Sequence, residues 1–302
     1  LHSSRSKSKV KLGINIMEQT SKSLWQHAWD SLKRDKAAVF SMAVIALYVL
    51  IALLTLTGVI ASDWSKEVGG SYLPPSGENF FGTDIFGRSV VLKTIKGVEM
   101  AIGIGIVTSL ISTVIGVTLG LTAGYFGGKV DELIVWFYTS LSSIPYIMLL
   151  FAVIMVLGKG TTSLFLALGI TSWPPLCRLV RGEVMRHKER EYVQAAAALG
   201  AGHRRRMFKH ILPNIFHIVI IQFSLRFQTA IKSEVILSYL GLGVQGVPSW
   251  GTMIDDAKLE LARGVWWQLG AATLAMFVLV LALNLLGDAL RDALDPKLKG
   301  KA

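Results

Sequence analysis

The chain has 302 residues, of which 52% are hydrophobic and only 17% are charged, and its formal net charge is +11 at pH 7. The apolar residues form uncharged runs long enough to cross about 30 Å of hydrocarbon as helices, which predicts an integral membrane protein. The positive charge is not gathered on a folded, water-facing domain, so a nucleic-acid-binding function is excluded.

The chain begins with a segment, residues 1–22, in which Ser and Lys are frequent. It lacks the apolar core of a signal peptide, so we predict a disordered or non-native extension, and Met17 is a candidate start. In residues 23–36, Trp25, Trp29 and Leu32 share one face at helical spacing. This pattern predicts an amphipathic helix lying on the inner surface of the membrane.

Six apolar runs follow, and we predict a membrane-spanning helix for each. The runs are Ala37 to Ala61, Met100 to Gly128, Leu133 to Gly158, Gly160 to Cys177, an interrupted one from Ile211 to about Leu242, and Val265 to Gly287. Uninterrupted runs of this length indicate helices, because β-barrel strands are shorter and alternate in polarity. The predicted fold is all-α and polytopic: span 37–61, a loop at 62–97, a core at 98–290 and a tail at 291–302.

The distribution of basic residues predicts the orientation of these spans. If both termini are cytoplasmic, the segments on that side hold 22 of the 31 Lys and Arg residues. Basic residues accumulate on the cytoplasmic side of membrane proteins. We therefore expect both termini and the loop at residues 191–214 in the cytoplasm, and the loop at 62–97 outside.

No catalytic, cofactor or metal site is predicted. Gly241, Gly243 and Gly246 match a dinucleotide fingerprint, but they follow a membrane span and no helix opens after them. Gly128 and Lys129 resemble the end of a phosphate-binding loop, yet position 123 is Ala and position 130 is Val where the motif needs Gly and Ser or Thr. We therefore expect this chain to bind no nucleotide itself.

The segment from Glu191 to Asn214, EYVQAAAALGAGHRRRMFKHILPN, is a charged and alanine-rich interruption between apolar runs. Its four consecutive alanines favour a helix, and Gly200 and Gly202 favour a turn after it. A second helix is predicted from His203 to Leu212, stopped before Pro213. Because alanine side chains let another backbone approach closely, we interpret the segment as a docking knob for a partner protein.

This segment resembles the EAA loop of permease subunits of ABC importers. In that pattern Glu-Ala-Ala is followed by three residues, Gly, nine residues and Ile-x-Leu-Pro. The corresponding positions here, with Gln for Glu and His for Ile, are Gln194, Ala195, Ala196, Gly200, His210, Leu212 and Pro213.

Three further segments resemble the peptide and nickel importer branch of the same family, in its C-type subunit. They are FGTDIFGRS at 81–89, SYLGLGVQGV with PSWGTMI at 238–254, and NLLGDALRDALDPKL at 284–298. The resemblance implies the type I ABC importer permease fold, with six transmembrane helices, in the inner (plasma) membrane.

The resemblance also implies the partners and the division of labour among them. A second permease subunit forms the other half of the pathway, two cytoplasmic ATPases bind ATP and Mg²⁺, and an extracytoplasmic binding protein delivers the substrate. This chain is then not an enzyme. Its ATPase-coupling residues are Glu191, Gln194, Ala195, Ala196, Gly200, Arg204, His210, Leu212 and Pro213.

Charged residues within the interrupted run predict a second functional region. On a helix that starts at Asn214, Arg226 lies about 18 Å along, near the middle of the membrane, whereas Lys232 and Glu234 lie close to the outer boundary and can reach it. Intramembrane charges usually face a partner or a water-filled cavity. We name all three as possible translocation-path residues; an ion pair within the bundle is the alternative for Arg226.

The substrate class remains open at this stage. Relatives of this branch carry dipeptides, oligopeptides, nickel complexes or other small solutes, and peptides are the expectation. A stand-alone secondary transporter or channel is the alternative of a different class, although such a protein has no need of a cytoplasmic docking knob.

Overall fold

A computed structural model describes residues 24–294 of the chain. The predicted extension at 1–22 and the end of the predicted tail, 295–302, lie outside the described residues. The helices are α1 (Leu24–Arg34), α2 (Lys36–Leu56), α3 (Val90–Phe126), α4 (Gly128–Ser142), α5 (Tyr146–Leu157), α6 (Thr161–Thr171), α7 (Pro174–Lys188), α8 (Glu191–Ala198), α9 (His203–Tyr239), α10 (Trp250–Leu261) and α11 (Trp267–Leu294).

Five of these helical segments are long and apolar enough to cross a membrane: α2, α3, α6 with α7, α9 and α11. The pair α4 and α5 provides a sixth crossing if it is counted as one span, with a bend of 94° between its two helices. The predicted all-α, polytopic membrane fold is confirmed.

The prediction of one uninterrupted helix from Leu133 to Gly158 is wrong, because the chain breaks between Ser142 and Tyr146. Pro145 immediately precedes α5 and has no N–H with which to continue α4. The hydroxyls of Ser142 and Ser143 donate to the carbonyls of Tyr138 and Ser140 at 2.7 Å, and the Ser143 bond satisfies a carbonyl whose usual donor, the Ile144 N–H, bonds Leu141 instead.

Long-range hydrogen bonds show which helix ends lie together. At one end of the bundle, Tyr125 near the end of α3 bonds His203 at the start of α9, with 3.0 Å between the hydroxyl and Nδ1. At the other end, Lys159 donates to the Gly241 carbonyl and the Trp267 indole donates to the Thr83 carbonyl. We call the end that carries residues 191–214 the loop face and the other end the opposite face.

The closest helix packing is between α3 and α7, and three glycines make it possible. A Cβ atom on Gly120 would lie 2.8 Å from the Cys177 carbonyl oxygen, and one on Gly124 would lie 2.6 Å from the Arg181 carbonyl oxygen. Gly116, one turn earlier, faces Leu176 in the same way. Small residues at every fourth position let membrane helices approach until their backbones touch, which maximises dispersion contacts where lipid offers no hydrophobic driving force.

An ion pair supports the same region from the side. Asp131 of α4 accepts hydrogen bonds from two nitrogens of Arg181 of α7, Nε and Nη2, and the Nη2 bond measures 2.5 Å. This two-point contact fixes the first half of the broken span to α7. As a result α3, α4 and α7 form one packed unit beside the break at 143–145.

Helix α3 begins at Val90, within the segment 62–97 that was predicted as a loop. The Ser89 hydroxyl accepts a hydrogen bond from the Leu92 N–H and caps this helix. The part of the loop that precedes it is held by two short antiparallel bridges, Glu67 with Arg88 and Thr83 with Ser89.

We expect the substitution Gly120→Leu to separate α3 from α7 and to destabilise the protein by about 1–3 kcal/mol or more, the range typical of overpacked sites. Gly182→Leu is the matched control, because Gly182 lies on α7 with nothing within 4 Å of its added Cβ. Thermal unfolding of the detergent-solubilised chain compares the two variants. Equal melting temperatures for both would show that the glycine contacts are not needed.

Candidate functional site

The turn between α8 and α9 has the geometry of a Schellman motif. The Ala201 N–H donates to the Ala196 carbonyl and the Gly200 N–H to the Ala197 carbonyl, both at 2.9 Å. Gly200 has a φ of +81°, in the left-handed region where a side chain is strained. The helix, the turn and the start of a second helix are therefore placed as the sequence predicts.

The inner side of this turn is held against the bundle. Val193 and Met207 are 2% and 4% exposed and belong to one apolar cluster with Val184 of α7 and Tyr125 of α3. Ala196 is also buried. The segment is thus a fixed projection of the bundle, with Ala196 turned toward the protein interior.

The outer side of the turn is open. Leu199 is 88% exposed, which is unusual for a leucine, and nothing lies within 4 Å of a Cβ built on the adjacent Gly200. Glu191, Ala195 and Arg204 are exposed beside them. The loop face therefore presents an apolar knob surrounded by charged and small residues.

Gln194, at the position of the family Glu, is exposed and its amide donates to the Lys188 carbonyl at 3.1 Å. This bond satisfies a carbonyl at the end of α7. A carboxylate could not donate it, so the Gln at this position has a structural use within the chain.

The expectation that the second helix stops before Pro213 is wrong. Residues Arg206–Ile211 form a π-helical turn, and the Leu212 N–H donates to the Met207 carbonyl, five residues back. Pro213 would clash with the carbonyl four residues back in a regular α-helix, and the wider turn makes room for its ring. His210 and Leu212, both partly buried, and the exposed Pro213 lie at this transition, and α9 continues to Tyr239.

A cavity of about 580 Å³ lies where the broken span meets α9. Its walls are the break at 141–146, the joint between α6 and α7 at 171–175, and residues 222–230 of α9. Three prolines line it, Pro145, Pro174 and Pro175, and they prevent the backbone in this region from forming a continuous helix. Its volume is typical of sites for small molecules.

Arg226 lines this cavity and is 8% exposed. Its Nη1 donates to the Ser172 carbonyl at the α6–α7 joint, and its Nε has no hydrogen-bond partner. No carboxylate among residues 24–294 lies within ion-pair distance of it. The alternative prediction of an ion pair within the bundle therefore finds no partner in the described part of the chain.

The structure does not bring the three predicted path residues together. Lys232 is exposed, whereas Glu234 is 4% exposed and turns into the protein, so its side chain is not directed outward as expected. The Glu234 Oε1 accepts hydrogen bonds from Ser238 at 2.7 Å and Ser249 at 2.6 Å. Glu234 thereby joins the end of α9 to the start of α10, away from the cavity.

Sequence reasoning missed a chain of buried polar groups at the opposite face. The Lys93 ammonium, 3% exposed, donates to Asp84 Oδ2 at 2.8 Å and to Gln268 Oε1 at 2.9 Å. Gln268 in turn donates to Glu260 Oε2 at 3.2 Å. Asp84 lies in the segment FGTDIFGRS, but residues separated by 175 positions carry no local pattern that predicts their contact.

The two ends of this polar chain have opposite ionisation behaviour. Burial raises the pKa of Glu260 to about 7. Burial also acts to raise the pKa of Asp84, but hydrogen bonds and charge from Lys93 and Arg88 outweigh it, and the pKa lies below its ordinary value. Near neutral pH, Asp84 is ionised and pairs with Lys93, while Glu260 is close to its midpoint.

The chain matches known permeases over most of its length. Residues 116–300 match the family described as binding-protein-dependent transport system inner membrane component, and residues 23–75 match the N-terminal TM domain of oligopeptide transport permease C. The dipeptide transport system permease protein DppC of Bacillus subtilis is 35% identical over 94% of this chain and 89% of its own length. OppC, the oligopeptide transport system permease of the same organism, is 35% identical over 94% and 93%.

A permease that is named for a different substrate has nearly the same sequence identity to this chain. The glutathione transport system permease protein GsiD of Escherichia coli is 34% identical over 91% of both chains. Among solved structures, the inward-facing MetNI methionine ABC transporter aligns with a TM-score of 0.55 and 18% identity, covering 67% of this chain and 96% of its own. That likeness shows a shared fold.

The fold and these matches define the chain as a membrane permease subunit of the ABC importer class, embedded as a multi-pass protein in the inner membrane. It belongs to the family of binding-protein-dependent transport system inner membrane components.

We expect Glu260→Gln to remove part of the pH dependence of stability. Because folding raises the pKa of Glu260 from its ordinary value to about 7, its contribution is fully present below about pH 4.5 and is lost as the pH rises to about 7. Between pH 5 and 8 the melting temperature of the wild type should therefore fall by a few degrees more than that of Glu260→Gln, measured in detergent.

Glu78→Gln is the control, since Glu78 is an exposed carboxylate of the 62–97 segment. Its melting curve should follow the wild type at every pH. Parallel curves for the wild type and Glu260→Gln would contradict a buried, proton-binding Glu260.

Proposed function

We propose that this chain forms one half of the translocation pathway of an ATP-driven peptide importer, with a second permease subunit as the other half. One of two ATPases binds the loop face from the cytoplasm, and the ATPase pair holds the ATP and Mg²⁺, which this chain does not bind. A binding protein delivers the substrate to the opposite face. The family to which the chain belongs consists of membrane components of transport systems that depend on a binding protein. The proposal adds the partners of this chain and the substrate that it transports.

The observation that carries the proposal is the contrast between the two sides of the turn at Leu199 and Gly200. The inner side is fixed by buried Val193 and Met207, whereas Leu199 on the outer side is 88% exposed. Phe208 of the same segment is 54% exposed as well, and apolar surface gathered in one fixed segment supports a contact with a partner. When an ATPase that binds this turn changes conformation, it therefore moves α8 and α9, the helices that the turn connects.

Continuity of α9 supports a mechanical coupling. The helix starts at His203, inside the loop, and runs without a break to Tyr239. Arg226 and the cavity lie along it. If the loop is displaced, α9 moves as a rigid body and the cavity wall that it forms moves with it. Rigid-body helix shifts of this kind occur in other conformational transitions.

Peptides are the proposed cargo because relatives that match over more than nine-tenths of this chain are named for dipeptides, oligopeptides and glutathione. These ligands share a peptide bond and a free carboxylate. Uptake of labelled dipeptide, tripeptide and Ni²⁺ into proteoliposomes that contain the complete transporter tests this assignment. Import of Ni²⁺ without import of either peptide would replace peptide by metal as the cargo.

We expect Ala195→Trp to reduce peptide uptake by about tenfold or more, because overpacking a protein contact costs about 1–3 kcal/mol and 1.4 kcal/mol corresponds to a factor of ten. Ala195 is exposed in a helix, so the chain itself tolerates the larger side chain. Uptake and ATP hydrolysis are measured at matched expression. Loss of uptake with the melting temperature unchanged is the expected pair of results.

The matched control is Ala37→Trp, another exposed alanine in a helix but outside the 191–214 segment. It should transport normally. If Ala195→Trp also transports normally, the loop is not the ATPase contact.

Co-purification separates this proposal from a stand-alone carrier. We expect an affinity-tagged chain to retain a second permease and two ATPase subunits in mild detergent, and Ala195→Trp to lose the ATPase that binds its own loop while it keeps the other permease. Transport by the isolated chain in proteoliposomes without ATP would contradict the proposal.

A further inference from the structure

We infer that the cavity beside the break at 143–145 is a binding site for the carboxylate of the transported solute, with Arg226 as the group that binds it. This inference rests on the proposed function, since it takes the cavity as part of the pathway. It assigns to the membrane subunit a recognition step of its own, separate from recognition by a binding protein.

The first support is the unused binding capacity of Arg226. A guanidinium has five N–H donors and remains charged throughout the physiological pH range. One donor goes to the Ser172 carbonyl, and Nε has no acceptor. A buried cation without a counter-charge is costly, so the site is incomplete until an anion enters.

The second support is a neutral donor on the neighbouring helix. Thr108 of α3 lines the same cavity, is 1% exposed, and its hydroxyl has no hydrogen-bond partner. Buried hydroxyls are nearly always paired in folded proteins. Two buried polar side chains from different helices, each with one atom that lacks a hydrogen-bond partner, thus line the same cavity.

The shape of the space identifies the class of ligand. A single carboxylate oxygen pair fits a planar guanidinium through two parallel hydrogen bonds. About half of the other side chains around the cavity are apolar, among them Leu141, Ile144 and Leu149, and the rest are neutral Ser, Thr, Gln and Tyr side chains. With a volume of about 580 Å³, the site suits a small solute that has one anionic end and an apolar or neutral remainder.

The cavity also has a continuation. A second hollow of about 430 Å³ shares Pro175 and Gln222 with it and extends along α7 past Arg178 and Gly182. Since α7 runs toward the loop face, a solute that leaves Arg226 has a route in that direction. The only described carboxylate along this second hollow is Glu183.

An acidic side chain of the partner permease is the other source of a carboxylate. The volume favours the solute, because a carboxylate from a partner side chain would fill only a small part of about 580 Å³. The experiment below distinguishes the two sources.

The test uses the complex of this chain with its second permease and ATPases, in detergent and without binding protein. Binding of radiolabelled alanyl-alanine and of its C-terminal amide is measured by equilibrium dialysis. We expect the wild type to bind the free acid about 10- to 100-fold more tightly than the amide, the range for hydrogen bonds to a charged group. Equal binding of the two probes, or no binding of either, overturns the inference without any variant.

Variants then locate the group responsible. Arg226→Gln should weaken binding of alanyl-alanine to the level of the amide, and Arg226→Lys should retain part of the preference. Lys129→Gln is the matched control, because Lys129 is an exposed basic residue of the broken span that lies outside the cavity. It should bind both probes as the wild type does.

The outcomes keep the two proposals apart. If Arg226→Gln releases the second permease, the counter-charge belongs to that subunit and the inference is wrong. If the ATPases co-purify and Ala195→Trp uncouples them, but the acid and amide bind alike, the proposed function stands and only the carboxylate site fails. If no ATPase co-purifies with the wild type, the proposed function itself fails.

Discussion

Backbone contact between α3 and α7 is the constraint on which the rest of the structure depends. Gly116, Gly120 and Gly124 carry no side chain, so over about two turns the α3 backbone lies directly against α7 at Leu176, Cys177 and Arg181. α7 begins at the cavity and ends just before α8. The same contact therefore sets the position of the cavity wall and of the loop face, about 21 Å apart for a helix of 15 residues at 1.5 Å per residue.

The basic residues in three regions of the molecule differ in their burial and in their partners. At the opposite face, Lys93 is buried with partners on several elements, an arrangement that stabilises a fixed structure. In the cavity, Arg226 is buried without a counter-charge, so one cation in the membrane-spanning part of the chain has an unsatisfied hydrogen-bond donor and no ion-pair partner. At the loop face, basic residues such as Arg204 are exposed and are available to a partner at little desolvation cost.

The sequence predicts the helical, multi-pass fold because long apolar runs have only one stable form in a bilayer. It also predicts the turn at Gly200, where local propensity and backbone geometry agree. It fails at Pro145 and Pro213, since the effect of a proline depends on whether neighbouring carbonyls find other partners. The Lys93, Gln268 and Glu260 contacts, and the separation of Glu234 from Arg226, arise from long-range packing that no spacing rule encodes.

The π turn at Arg206–Ile211 determines the direction, around the helix axis, in which all later side chains of α9 point. A π turn takes in about one residue more than an α turn, and one residue corresponds to about 100° of rotation. Without that turn, the helix face that carries Arg226 would point about 100° away from the cavity while the loop kept its place. A relative that loses or gains one residue between Gly202 and Pro213 would thus present a different side of this helix to the pathway, with no change in any residue that lines it.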